Sequence, residues 1–426
     1  MTVVEGGRIL FWISGGTAGK RTVRYVYSNE VLECELAGCA IKRHYSGGLK
    51  LVAFLPHSLP ANSKYREEEK DLRELIDSQI DIIYTPSIGN LHGYTFEGSY
   101  PYIKFWIFLN LLKYYLEGGY RTFYCDISQG LNVYADALKE AFRHLVVFDR
   151  LMHFREGSIE SYMVYTDPII GGEVERAKIY DDVPIRVNAW FDSPVKNTKD
   201  EHLLSHGLNR EHIRLLKSFY RTYKALKYNT PPVILTFGYD PEEKVQRAIS
   251  SLLDRYLKEY DPGYFDPEKK TYEYNLPEKP DEKIAIFLAL SLYCDISRTL
   301  ERAGIRPERE SREFTLEDLE KFFYIYEHYG LYVNRDLLNK DLNRFAGIRA
   351  QSQWNQLGHF VNQSFRPRKP EQLRNDSDVK RNFFAHSGME NNCVYVRKGE
   401  DGRLIFKYGE EFNSLINEFV YDEASP

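Results

Sequence analysis

The run Arg381-Asn382-Phe383-Phe384-Ala385-His386 sets a guanidinium five residues ahead of an imidazole. A guanidinium grips a phosphate through two hydrogen bonds and offsets negative charge growing on it. An imidazole moves a proton near neutral pH. Together the two groups suffice to break an RNA phosphodiester by attack of its own 2′-OH, with no metal ion. Chance gives about one such Arg–His spacing in a chain of this size at ordinary residue usage, so the spacing alone says little. Asn382, Ala385 and the basic loop that precedes the run, Phe365 to Asn375 (FRPRKPEQLRN), add information. The plainer alternative is a surface Arg beside a packed His.

Two earlier runs have the character of ligand loops. Ser14-Gly15-Gly16-Thr17-Ala18-Gly19-Lys20 follows an apolar run, Arg8 to Ser14. It lacks the spacing and the Ser/Thr of a Walker A loop, since Arg21 stands where the hydroxyl is required, and it is not a G-x-G-x-x-G dinucleotide loop. It reads either as a tight turn or as a cradle of backbone N–H groups for a phosphate or ribose. Asp126-Ile127-Ser128-Gln129-Gly130-Leu131-Asn132 follows another apolar run, Tyr120 to Ile127. Asp126 or Ser128 could do no more than cap the next helix. Two polar, glycine-bearing loops after two strands of one sheet favour a binding site, because open α/β sheets bind ligands at the carboxyl ends of their strands.

Other candidates are weaker. His202 and His206 are four apart, a spacing zinc ligands use, but no Cys pair or Glu-x-x-His completes a set, so no metal site is read. The acidic run Arg66-Glu67-Glu68-Glu69-Lys70-Asp71 reads as a solvated helix face. Tyr102, Phe105, Trp106, Phe108 and Leu109 read as core.

The elements that must position these groups fall into two patterns. Strands at Arg8–Ser14, Leu49–Pro56, Asp81–Thr85, Tyr120–Ile127 and Ser161–Thr166 alternate with helices at Ser63–Gln79, Pro101–Glu117 and Leu131–Phe148. That alternation predicts a mostly parallel, Rossmann-like sheet covered on both faces over residues 1–175. From about Asp200 the pattern turns helical: His202–Tyr228, Glu242–Tyr260, Glu282–Ala303, Thr315–Tyr329, Asp336–Val361 and Glu371–Ser387. A Pro-, Tyr- and charge-rich stretch, Glu259 to Lys283, reads as a long connection. The expected organisation is α/β plus all-α: 1–175, a helical linker at 176–280, and a helical domain at 281–426.

The bulk numbers agree. A length of 426 residues exceeds one ordinary core. A formal net charge of −5 argues against a protein that coats nucleic acid with its whole surface, and leaves room for a local basic groove. Five scattered cysteines, Cys34, Cys39, Cys125, Cys294 and Cys393, form no C-x-x-C pair and fit a reducing cytoplasm. No signal peptide is read at the N-terminus. The most apolar stretch, Pro101 to Gly118, carries Lys104, Lys113 and Glu117 and reads as a buried helix, with no membrane span.

Taken together, these features resemble the type III CRISPR-associated ribonucleases that join a CARF ligand-sensor domain of Rossmann type to a HEPN nuclease domain. The resemblance covers essentially the whole chain. Arg381 to His386 matches the HEPN pattern of Arg, a polar residue, three variable positions and His. Asp126 to Asn132 resembles the sensor's Asp-x-Thr-His-Gly-x-Asn run, with Ser128 and Gln129 in place of Thr and His. Ser14 to Lys20 matches the other sensor loop loosely. The resemblance implies a homodimer in which Ser14, Gly15, Gly16, Thr17, Gly19, Lys20 and Asp126 to Asn132 line a pocket for a cyclic oligoadenylate, cyclic tetra-adenylate in the longer members. It implies that Arg381, Asn382 and His386 cut single-stranded RNA without a metal cofactor, as part of type III antiviral defence. A composite nuclease site fits the geometry, since residues five apart on a helix point about 140° apart, and a two-fold ring suits an isologous pocket. Two other readings remain open: a sensor that also cuts its ring ligand, and a non-catalytic regulator that binds nucleic acid or a protein partner.

Overall fold

The computed structural model describes residues 6–16, 22–45, 48–75, 79–128, 132–154, 158–167, 176–196, 199–307, 311–374 and 376–421. The chain divides into two compact units, one of residues 1–189 with 249–288 and the other of 190–248 with 289–426.

The first unit is built on an eight-stranded sheet in the order β3-β2-β10-β9-β8-β1-β4-β5. Its strands are β1 (Gly7–Ile13), β2 (Val23–Tyr27), β3 (Glu30–Cys34), β4 (Leu49–Pro56), β5 (Asp81–Thr85), β8 (Tyr120–Asp126), β9 (Glu160–Thr166) and β10 (Arg176–Pro184). From β9 through β8, β1 and β4 to β5 every pairing is parallel. Antiparallel pairings join β10 to β9 and β2 to β3. Along β1 alternate side chains serve opposite faces, as the two-residue period of a strand requires. Leu10 and Trp12 pack with helix α1 (Ala37–His44) and with Leu72 of α2 (Glu68–Leu75). Phe11 meets Phe54, Phe123, Tyr114 of α3 (Tyr100–Glu117) and Phe142 of α4 (Asn132–Met152). The sheet is thus covered on both faces. Ser99 starts α3 by accepting from the N–H of Tyr102, and Gly118, at φ 77°, follows its last residue.

Several expectations are revised. The sheet continues past residue 175, because β10 pairs with both β9 and β2. The helix expected over Ser63–Gln79 is a short turn at Ser63–Tyr65, capped by Asn62, followed by α2. Glu68 is not solvated: it is fully buried, on the same helix face as Leu72 four residues on. The stretch Glu259–Lys283 is not a free connection. Its β11 (Thr271–Tyr272) pairs in parallel with β7 (Tyr94–Glu97), itself paired with β6 (Ile88–Leu91). Phe265 and Tyr272 of that stretch are buried against Tyr94 and Phe96. The aromatic stripe of α3 is core, as expected.

The second unit is mainly helical. Its elements are α5 (Asp200–Ser205), α6 (Arg210–Lys227), α7 (Pro231–Phe237), parts of α8 (Glu242–Glu259) and α9 (Pro280–Arg302), α10 (Leu316–Glu320), α11 (Phe322–Tyr329), α12 (Tyr332–Ala346), α13 (Gly358–Val361), α14 (Pro370–Leu373), α15 (Ser377–Ala385) and α16 (Asn413–Tyr421). A small antiparallel sheet joins β12 (Phe314–Thr315), β15 (Leu404–Tyr408), β14 (Val394–Lys398) and β13 (Asn355–Gln356). The single helix expected over Asp336–Val361 stops at Ala346. Beyond it Asn355 and Gln356 pair with Val396 and Tyr395, and these sheet hydrogen bonds take the place of helical ones.

Candidate functional site

In the first unit the two loops follow adjacent strands at the point where the strand order reverses. After β1 the chain forms the β2–β3 hairpin at the far edge of the sheet, returns through α1 to β4 beside β1 and on to β5, then crosses by α3 to β8 on the other side of β1. β1 and β8 are adjacent and parallel, with Trp12 opposite Asp126, so the segments after Ile13 and after Asp126 leave the sheet side by side. A reversal point of this kind opens a crevice at the carboxyl ends of the strands.

The local geometry of each loop is set by its own side chains. Buried Ser14 donates its hydroxyl to Oε1 of Glu68 at 2.8 Å and accepts from the N–H of Gly16 at 3.2 Å. Gly16 sits at φ 93°, and a Cβ there would lie 2.5 Å from the Tyr65 ring. Glycine is therefore required for conformation and for room alike. Asp126, also buried, accepts at Oδ1 from the Ser128 N–H at 2.8 Å and from the Ser128 hydroxyl. Ile127 donates its N–H to the Val164 carbonyl. The next helix, α4, begins at Asn132, so its N-terminal end follows this loop directly. Thr17, Gly19, Lys20, Gln129, Gly130 and Leu131 lie outside the described residues, as does the Asn132 side chain. Of the expected pocket residues, Ser14, Gly15 and Gly16 follow β1 and Asp126, Ile127 and Ser128 end or follow β8, at the same end of two adjacent strands. Glu68, read in the sequence as part of a solvated face, and Tyr65 pack against the first of these loops. The signal for Glu68 was a carboxylate four residues before Leu72, an apolar residue on the same helix face.

In the second unit α15 carries the Arg–His run. Asp376 caps the helix by accepting from the N–H groups of Asp378 and Val379, and its carboxylate also holds Arg368 at 2.7 Å. The Arg368 guanidinium keeps that carboxyl below the usual carboxylate range. Phe383 is buried and anchors the helix; Arg381 and Asn382 are exposed. The Arg381 side chain is 73% exposed and pairs with Asp378 at 3.2 Å. An ion pair this exposed contributes little and yields readily to a better anion.

His386 stands just past the last helical residue, with its N–H on the Asn382 carbonyl. Its side chain is 42% exposed, and its Nδ1 lies 3.5 Å from Oδ1 of Asp341 on α12. Asp341 is buried, and its Oδ2 accepts from the Ser387 hydroxyl at 2.7 Å. Ser387, at φ 51°, in turn accepts from Nδ2 of Asn229 at 2.9 Å. Within one chain Arg381 and His386 face different partners, Asp378 and Asp341. The arrangement presents one solvent-exposed cation in a surface ion pair and one imidazole held from behind. Asp341 was missed in the sequence, although a carboxylate among the buried Leu338, Leu342 and Phe345 of α12 is a visible irregularity.

His202 and His206 pack edge to face, with ring centroids 4.8 Å apart. Among the described residues no helix is long and apolar enough to cross a membrane.

Two family models match the chain. The model of the CARF domain of the CRISPR system endoribonuclease Csx1 matches residues 9–168, a span that holds both the Ser14–Lys20 and the Asp126–Asn132 runs. The model of the HEPN domain of the same endoribonuclease matches residues 331–411, which hold Asp341, Arg381, Asn382 and His386. Together the matches span more than half of the 426 residues. No curated protein matches the chain.

Proposed function

Because this chain belongs to the CRISPR-associated CARF–HEPN endoribonuclease family, we propose that it is a cytoplasmic, metal-independent endonuclease of single-stranded RNA, switched on by a cyclic oligoadenylate and acting in type III antiviral defence. The family makes it a CRISPR-associated ribonuclease regulated by a ligand of cyclic oligoadenylate type; the remainder is our reading. We assign the sensor to residues 1–175, with β10 extending its sheet, and the nuclease to 281–426, the intervening 176–280 being shared between the two compact units.

The observation that carries the chemistry is that one short helix, α15, presents an exposed Arg381 and, at its C-cap, an imidazole anchored through one nitrogen. Arg381 binds the scissile phosphate and offsets its growing charge. Asp378 is its resting partner and is displaced by the phosphate. His386 orients the 2′-OH or shuttles its proton, and Asn382 assists by hydrogen bonding. Two protomers contribute one Arg–His pair each to a shared cleft. The products carry 2′,3′-cyclic phosphate ends.

The ligand pocket is the crevice between the β1 and β8 loops. The residues we assign to it are Ser14, Gly15, Gly16, Thr17, Gly19, Lys20 and Asp126 to Asn132, with cyclic tetra-adenylate as the preferred ring.

The test is cleavage of labelled single-stranded RNA with added cyclic tri-, tetra- or hexa-adenylate in EDTA. Arg381→Ala is expected to lower the rate on the order of 10²–10³-fold. His386→Ala is expected to lower it on the order of 10²–10⁴-fold. Both variants should bind the ring unchanged. Strict dependence on Mg²⁺ or Mn²⁺, or full cleavage by His386→Ala, would overturn the assignment.

A further inference from the structure

We infer that Asp341 is a positioning residue for His386: it fixes the imidazole as the Nδ1–H tautomer and so leaves Nε2 as the nitrogen that works on RNA. This rests on the role proposed above for His386.

The argument starts from valence. A neutral imidazole has one N–H and one lone pair, and the partner of one nitrogen decides the state of the other. An ionised carboxylate only accepts hydrogen bonds, so the nitrogen facing Asp341 Oδ1 must be the donor. That nitrogen is Nδ1, at 3.5 Å. The separation is long for a hydrogen bond, as is common at catalytic groups before substrate binds. Nε2 has no protein partner among the described residues, and the side chain is substantially exposed.

Asp341 is itself held in place. Its second oxygen accepts the Ser387 hydroxyl at 2.7 Å, and the Ser387 oxygen accepts Nδ2 of the buried Asn229 at 2.9 Å. α12 is tied to the same region by Asn334, whose Nδ2 donates to the carbonyls of Leu226 and Lys227, the last turn of α6. The carboxylate therefore cannot swing away without breaking a buried chain of donors. Asp341 is also costly to keep. It places a carboxylate in the apolar stripe of a helix, where Leu338, Leu342 and Phe345 are buried around it. Packing alone does not call for it; an oriented histidine does.

The experiment uses the full-length protein with cyclic tetra-adenylate and labelled RNA. ¹⁵N-labelled histidine spectra above the imidazole titration range report the tautomer of His386 in the wild type, identified by its absence in His386→Ala. The Nδ1–H form is expected, and the Nε2–H form would overturn the inference without any variant having to fold. Asp341→Asn and Asp341→Ala are then compared by steady-state cleavage, with ring binding and thermal unfolding as checks on folding. A fall in kcat on the order of 10–10²-fold, as when the orienting partner of a functional histidine is removed, with KM for RNA unchanged, supports it. Unchanged kcat, or a loss confined to KM, overturns it. His386→Ala separates the two levels: if it cleaves RNA normally the proposed active site fails, whereas if it is dead and Asp341→Ala is fully active only the positioning role fails.

Discussion

The decisive residues do their work through what stands behind them. Ser14 is the first side chain after β1, yet it faces inward to a buried carboxylate, so the role we propose for it in the pocket is to shape the loop. Replacing it with Ala removes a hydrogen bond to a charged group, worth about 1.5–3 kcal/mol. Ser14→Ala is expected to lower thermal stability by that order and to weaken ring binding, read by calorimetry. Gly16→Ala should be as harmful for a different reason. Its backbone lies at φ 93° and the new methyl would meet the Tyr65 ring, a combination that costs about 1–3 kcal/mol for the backbone alone. Unchanged ring affinity in both variants would remove this loop from the pocket.

At the scale of elements, the stretch Glu259–Lys283 is held to the sheet through His57, which lies at the end of β4. His57 is fully buried, bonded at Nδ1 to the Tyr274 hydroxyl and at Nε2 to the Gly263 carbonyl, and ringed by Tyr84, Phe265, Tyr272 and Tyr274. Burial pushes its pKa down from 6.5 to about 4. A histidine whose folded pKa is depressed stabilises the fold fully above its unfolded value. That contribution is lost as pH falls from about 6.5 to about 4, because the unfolded chain then binds the extra proton. The loss is on the order of 3 kcal/mol. Thermal unfolding of the wild type should therefore fall more steeply over this window than that of His57→Gln; parallel profiles would show that His57 does not titrate in this way.

At the scale of the whole molecule, both proposed sites call for a second copy of the chain. The structure offers α12 as one place where that copy could dock: Tyr332, Val333 and Leu337 are 54%, 72% and 41% exposed, and Val333 and Leu337 share a helix face. α12 is also the helix that carries Asp341. Leu337→Asp is expected to give a monomer of the nuclease region with cleavage reduced at least tenfold while ring binding persists, measured by light scattering alongside RNA cleavage. An active dimer in that variant would place the contact elsewhere.

Local pattern was enough to reveal the alternating strands, the parallel sheet and the Arg381–His386 run, because each depends on residues within a few positions of one another. Strand period, helix caps and a six-residue run are short-range physics. Residues coupled across the chain were not legible. Glu68 looked solvated because its neighbours are charged, and only the packing of α2 under β1 shows that it receives Ser14. Asp341 stands 45 positions before His386, and nothing local links them. The stretch from Glu259 read as a connection because proline and charge dominate it, while its hold on the sheet comes from Tyr272, Tyr274 and Phe265 meeting partners some 200 residues away. Burial and long-range hydrogen bonding are decided by which surfaces meet, and a linear pattern does not encode that meeting.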